Sequence, residues 1–421
     1  MINIVIAGAG FGGLQTALAL EKKFSAEGGS ASGGKSDKHI SITLIDKRDY
    51  HLFTPNLYEA ATTEEELVSA AQVKASLTLP FSRIFKGKKV KFIKGELTNV
   101  DPEKKQLALG GKQISYDYLI LALGSQSDFL KVEGAQKYAL PLKSLPDALR
   151  IRNALEFAVQ THRMDTNKKT LRVVVAGGGY TGVEFAAELK GLMDFLAWKY
   201  QYPREKIEIE IVEANSKVVA GFDDRLSRDA VDRLRELGIR ISLSSRISRV
   251  EQNFIWLMSG ERTAYDVLVW TTGVRACPVA CEKEIAVDRK GKISVNEFLQ
   301  VAGHHNIFAL GDVACVTDQK GLVAPNSAQD AWDQAKYLAY ALPYITRNKK
   351  PPRPYIPKPH GFIVSVGGKW AIVCNRHFYF KGFFAYAVSQ LAHLRYYISV
   401  VGVWKAIKFL VFQEEMYSRN D

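Results

Sequence analysis

Cysteine is scarce in this chain: four in 421 residues, at positions 277, 281, 315 and 374. Four unevenly spread thiols make no disulfide framework, and the spacing of Cys277 and Cys281 is not the C-x-x-C of a redox pair. Thiol relay chemistry is therefore not expected, and the composition fits a reducing cytoplasm. Long apolar runs are missing as well. No stretch of about 18 apolar residues occurs, which predicts no membrane-spanning helix and no proton pumping. The first apolar strand reads from Ile2, which leaves no room for a signal peptide. The eight histidines show no ligand spacing beyond His304-His305, so no metal site is expected.

Acidic residues are absent from 343–411, a stretch with eleven Lys or Arg that supplies +11 of the formal net charge of +13. Within it, 376–412 holds eleven aromatic residues, among them Phe380, Phe383, Phe384, Tyr396, Tyr397 and Trp404. Aromatic and aliphatic groups interleaved with lysines describe a pair of helices lying in a bilayer interface. Each basic residue near anionic lipid contributes roughly 1 kcal/mol there. A buried homodimer helix is the alternative; a nucleic-acid partner is not expected. A single helical wheel over 391–409 shows no clean apolar face, so the membrane reading rests on composition.

What the chain has in abundance is glycine in two matching places. Gly8-Ala9-Gly10-Phe11-Gly12-Gly13 and Gly177-Gly178-Gly179-Tyr180-Thr181-Gly182 each follow an apolar run and precede an apolar-periodic one. Strand, tight turn and helix in that order form a pyrophosphate cradle. The first two glycines let the backbone turn and approach the phosphates, the third lets helix and strand pack closely, and the helix N-terminus offers free N–H groups. Each unit also closes its second strand on an acid, Asp46 and Glu213, placed to bind a ribose diol. Residues 25–36, eight of twelve Gly or Ser, read as a flexible surface loop. Leu189 to Tyr202 reads as an extended helix.

Tyr116 to Gly124 and Tyr265 to Gly273 repeat one pattern, an apolar strand opened by Tyr-Asp and closed by glycine, which suggests two related halves. Asn306 to Asp312 reads as a buried strand ending in Gly-Asp, whose acid caps a helix or binds a ligand hydroxyl.

These motifs, with IDKRDYHLFTPNLYEAAT, GGGYTGVEFAAEL, WTTGVRA, IFALGDVA and SAQDAWDQAKYLA, resemble the flavoproteins with two dinucleotide-binding domains, and among them the type II NADH:quinone oxidoreductases. The resemblance implies an α/β fold of two Rossmann-like domains, one for FAD and one for NADH, plus a C-terminal membrane-associating helical segment. Its expected boundaries are 1–145 and 277–375 for the two parts of the FAD domain, 146–276 for the NADH domain and 376–421 for the anchor. Gly8, Gly10, Phe11, Gly12, Gly13, Asp46, Lys47 and Gly124 would hold FAD, with Asp312 on its ribityl chain. Ala328 and Gln329 would lie against the isoalloxazine ring, at the mouth of a quinone pocket. Gly177, Gly179, Tyr180, Thr181, Gly182, Glu213 and Gly273 would serve NADH. Glu184, in what reads as the first turn of a helix where the dipole favours a carboxylate by about 0.3–1 kcal/mol, would sit near the nicotinamide.

One departure stands out. The family's Ala-Gln-x-Ala-x-Gln reads here Ala328-Gln329-Asp330-Ala331-Trp332-Asp333, with Gln334 one place late. An acid beside a quinone donates a proton if burial raises its pKa, or repels the head group if ionised. The implied function is hydride transfer from NADH to FAD, then two electrons to a membrane quinone at the cytoplasmic face of the membrane. Removing 376–421 should abolish membrane binding and lipophilic quinone turnover while sparing flavin reduction. The alternatives are a soluble FAD-dependent NADH reductase of a small redox protein and a redox-sensing flavoprotein.

Overall fold

The computed structural model describes residues 1–27, 40–64, 68–165, 170–221, 223–281, 285–317, 321, 323–325 and 327–417. The Gly/Ser-rich segment expected to be a flexible loop lies outside the described residues from 28 onward; its first residues belong to a helix that runs to Glu27. The chain divides into two compact units. The first comprises Met1–Leu52, Leu79–Gln126 and Arg275–His360, the second Phe53–Thr78, Ser127–Val274 and Gly361–Asp421.

The first unit is built on five parallel strands in the order Ile307–Ala309, Tyr118–Leu121, Ile2–Ala7, Ile40–Asp46, Val90–Lys94. Ile4, Val5 and Ile6 are all buried. Consecutive burial, rather than alternation, is what a parallel strand covered on both faces requires, and each such side chain contributes about 1.5–3 kcal/mol. The helix Phe11–Glu27 lays Leu14, Ala17 and Leu18 inward at helical spacing. It packs against the helix Ala328–Ile345.

The second unit repeats this plan. Its parallel strands run Leu140–Pro141, Val267–Trp270, Leu171–Ala176, Ile207–Val212, Arg240–Ser242. Each unit also carries a three-stranded antiparallel sheet: Leu97–Asp101, Gln106–Leu109 and Lys112–Ser115 in the first, Ile247–Glu251, Phe254–Leu257 and Arg262–Ala264 in the second. The Tyr-Asp repeat has a structural reason. Asp117 accepts the Asn3 N–H at 2.7 Å, and Asp266 accepts the Arg172 N–H at 2.9 Å, so in each half this acid ties its own strand to the first one.

The expected domain boundaries differ from the observed units at three places. Phe53–Thr78 and Ser127–Leu145, expected with the FAD domain, group with the second unit, and so does everything from Gly361 on. The physical cause in the first and last cases is burial of the C-terminal segment in the second unit. Tyr397 is fully buried against Phe53 and Phe409, and Gln413 donates to the Ser76 carbonyl at 2.6 Å and to the Tyr397 hydroxyl at 2.9 Å. The segment 376–421 is therefore no detachable anchor: its deletion also removes the strand Tyr379–Gly382 and this buried network. The extended helix expected over Leu189 to Tyr202 is the second half of one helix, Tyr180–Lys199.

Candidate dinucleotide sites

Both glycine turns sit at the carboxyl ends of parallel strands, where the strand order reverses and α/β sheets leave a crevice. In the first, Gly8 has φ +100°, and a Cβ there would meet the Ala122 carbonyl oxygen at 2.3 Å. A Cβ on Gly13 would meet the Gly8 carbonyl oxygen at 1.8 Å, and one on Gly12 the Leu310 side chain at 2.1 Å. Gly10 is different: a Cβ would meet nothing within 4 Å. It faces open space, where a ligand, not the protein, would be the neighbour.

The second turn reproduces this pattern. Gly177 has φ +103°, and a Cβ on Gly182 would lie 1.9 Å from the Gly177 carbonyl oxygen, while Gly179 faces open space. The acids match as well. Asp46 accepts the Ala9 N–H at 2.8 Å, and Glu213 accepts the Gly178 N–H at 2.6 Å. Their second oxygens are engaged locally, Asp46 with the Arg48 N–H and guanidinium, Glu213 with the backbone and side-chain N–H groups of Asn215. Each carboxylate thus clamps its own cradle, and a carboxylate oxygen retains lone pairs for a ribose hydroxyl. Behind the first cradle His51, fully buried, bonds the Ala9 carbonyl at 3.1 Å and meets the Phe11 ring edge-on at 5.1 Å. Burial lowers its pKa to about 4.

Around the first cradle, Asp312 lies in the short helical turn Gly311–Val313 rather than capping a long helix, and it accepts the Ser125 hydroxyl just after Gly124. Lys47 is exposed and paired with Glu96 at 3.2 Å. Gly273, exposed beyond the strand Val267–Trp270, has φ +156°. Tyr180 stacks on Phe362 at 5.8 Å, and Thr181 is exposed.

Glu184 is placed differently from the sequence reading. The helix starts at Tyr180, so Glu184 falls in its second turn, beyond the reach of the dipole argument. Its carboxylate instead accepts the N–H of Ser365, on the strand Phe362–Ser365, at 3.2 Å. Burial of the carboxyl group raises its pKa to about 8; the Ser365 bond opposes the rise and Glu188 adds to it. Tyr58, buried nearby, is held far above the usual phenol range by burial and then by Glu59, Glu184 and Glu188.

At the start of the helix Ala328–Ile345, Ser327 is the N-cap: its hydroxyl accepts the Asp330 N–H at 3.1 Å and donates to the Asp330 carboxylate. Ala328 is half-buried and Gln329 exposed. Gln334, one place late in the motif, is buried and accepts the Gly311 N–H at 2.7 Å. Asp333 pairs with Lys336 at 3.1 Å and faces His360 Nε2 at 3.4 Å. Neither His360 nor Ser365 carried any local sequence signal; only the fold brings them to these acids.

Among the described residues no group of His, Cys, Asp and Glu is arranged to hold a metal ion, and no disulfide joins the four cysteines. No described helix is long and apolar enough to cross a membrane. Gly402, at φ +82°, breaks the C-terminal segment into the helices Phe383–Val401 and Val403–Tyr417. This explains why one wheel over 391–409 showed no face. Each helix taken alone has one: Phe384, Leu391 and Ile398 outward on the first, Trp404, Ile407 and Val411 on the second.

Two cradles of this kind, each with its clamping acid on its own parallel sheet, define a protein of the class that binds two dinucleotides. Residues 2–335 match the family described as pyridine nucleotide-disulphide oxidoreductase, and the chain belongs to that family. The type II NADH:quinone oxidoreductase of Staphylococcus haemolyticus is 29% identical over 349 residues, 82% of each chain. The demethylphylloquinone reductase of Synechocystis is 29% identical over 400 residues, 93% of this chain and 91% of its own. In fold the chain is similar to NDH2 from Plasmodium falciparum, solved in complex with NADH, with a TM-score of 0.83 over 99% of both chains at 21% identity. The resemblance read from the motifs is thus matched by relatives of that name.

Proposed function

We propose that this chain is a single-subunit NADH:quinone oxidoreductase that does not pump protons. It is an FAD-dependent oxidoreductase that takes its electrons from NADH. The observation that carries the reading is the doubled cradle, in which Gly10 and Gly179 alone among the fingerprint glycines face open space. The first cradle fits FAD: Gly8 to Gly13 admit the pyrophosphate, Asp46 takes the adenosine ribose, and Asp312, Ala328 and Gln329 meet the remainder of the cofactor. The second fits NADH, with Glu213 on the ribose, where its charge disfavours the extra phosphate of NADPH, and Glu184 toward the nicotinamide. FAD, when bound, supplies the step from a two-electron hydride donor to a quinone. The protein's share is to bind, orient and exclude water, and positioning of reactants accounts for much of such an acceleration.

The outward faces of the two C-terminal helices support peripheral attachment to an anionic membrane, with Lys405 and Lys408 exposed beside Trp404 and Ile407; the cytoplasmic side is the face we propose for it. The test is anaerobic addition of NADH to the purified flavoprotein, followed by a soluble quinone analogue. Rapid bleaching of the flavin band and rapid recovery are expected. Bleaching without recovery would transfer the acceptor role to a small redox protein.

A further inference from the structure

The N-terminal half of the helix Ala328–Ile345 carries a buried polar cluster. Asp330 is nearly fully buried, and its Oδ1 finds no hydrogen-bond partner. The His360 Nε2, 3.8 Å from that oxygen and 3.4 Å from Asp333 Oδ2, is likewise without one. Burial raises the Asp330 pKa, opposed by Ser327 and His360 and supported by Asp333. Lys336 closes the cluster on its outer side through its 3.1 Å pair with Asp333. Two buried polar atoms left open 3.8 Å apart, one on Asp330 and one on the histidine itself, mark a place where protons or a water are exchanged, since such groups are otherwise satisfied. Asp333 lies one helical turn beyond Gln329, so the two share a face.

We propose that Asp333 and His360 form the proton-delivery device of the acceptor half-reaction: Asp333 hands a proton toward the acceptor on the Gln329 face, and His360 reloads it. This rests on the quinone reading above. The balance requires such a group. Quinone becomes quinol by gaining two electrons and two protons; NADH contributes a hydride, two electrons with one proton, and becomes NAD+. The second proton comes from water through the protein. Histidine is the side chain whose ordinary titration falls in the physiological range, and the His360 side chain keeps 22% exposure for exchange with solvent. His360 is a positioning and reloading residue, with Asp330, Asp333, Lys336 and Tyr355 as the titratable groups around it.

The experiment separates the half-reactions by stopped flow in wild type, H360Q and D333N holoenzyme from pH 5.5 to 8.5, with thermal melts as the folding control. Flavin bleaching by NADH should be unchanged in both variants. Reoxidation by a soluble quinone should slow at least about tenfold in each and lose its pH dependence, with added imidazole rescuing H360Q but not D333N. A variant whose reoxidation keeps the wild-type rate and pH profile overturns the device. Wild-type protein that is not reduced by NADH, or not reoxidised by quinone, would instead overturn the functional reading on which it rests.

Discussion

The carboxylate of Glu184 takes its hydrogen bond from the backbone N–H of Ser365, a residue 181 positions away in the chain. One such bond does not compensate the burial of the group, and its pKa stands near 8 instead of 4.5. The folded state therefore prefers the protonated acid. Its contribution to stability is complete below about pH 4.5, declines as the unfolded chain ionises, and is lost once the pH passes 8. E184Q should abolish this decline, leaving the variant on the order of 1–2 kcal/mol more stable than wild type at pH 8 after allowance for partial exposure. Urea unfolding at pH 5 and pH 8 checks it, and equal pH slopes for the two proteins would contradict the assignment.

The fingerprint glycines divide into those that serve the protein and those that serve the ligand. A Cβ on Gly13 would press on the Gly8 carbonyl, whereas one on Gly10 meets nothing. Gly13→Ala should cost about 2–3 kcal/mol of stability. Gly10→Ala should melt as wild type yet purify with markedly less flavin. Gly179→Ala should keep its flavin and raise the KM for NADH at least tenfold. Normal flavin content in Gly10→Ala would refute the first cradle.

These relationships differ in how visible they were beforehand. The cradles, the acids Asp46 and Glu213 and the Tyr-Asp repeat were legible because each is a local consequence of strand, turn and helix in fixed order. The position of Glu184 was misjudged by a turn, because nothing in GGGYTGVEF marks Tyr180 rather than a later residue as the helix start. The partners Ser365 and His360 and the docking of Tyr397 on Phe53 were hidden, since they depend on which distant segments the fold brings together. Gly402 is visible as a glycine but not as a helix break, and a single wheel drawn across it blends two amphipathic faces into one.

His51 makes the first cradle sensitive to acid. It is neutral and buried against Ala9 and Phe11, with its pKa lowered from 6.5 to about 4. Below pH 6.5 the unfolded chain takes up a proton that the folded one refuses, so the stability supplied by this site is full above 6.5 and is lost as the pH falls toward 4. FAD should therefore dissociate progressively over that window, read as a gain in free-flavin fluorescence. H51Q should shift the release curve or flatten it. A curve identical to wild type would show that other groups govern acid release.

The outward faces of the last two helices predict how the protein meets a bilayer. Phe384 is 79% exposed and Trp404 81%, so neither contributes to the folded interior. Replacing both with glutamate should leave stability within about 0.5 kcal/mol and lower binding to anionic vesicles at least tenfold, because apolar insertion is replaced by like-charge repulsion. Substituting Lys405 and Lys408 by glutamine should act otherwise, weakening binding about fivefold per charge at low salt and little at high salt. Cosedimentation with vesicles over a salt series distinguishes the two contributions. Binding by the double glutamate variant that matches wild type at every salt concentration would remove these helices from the attachment and reopen the homodimer interface as their role.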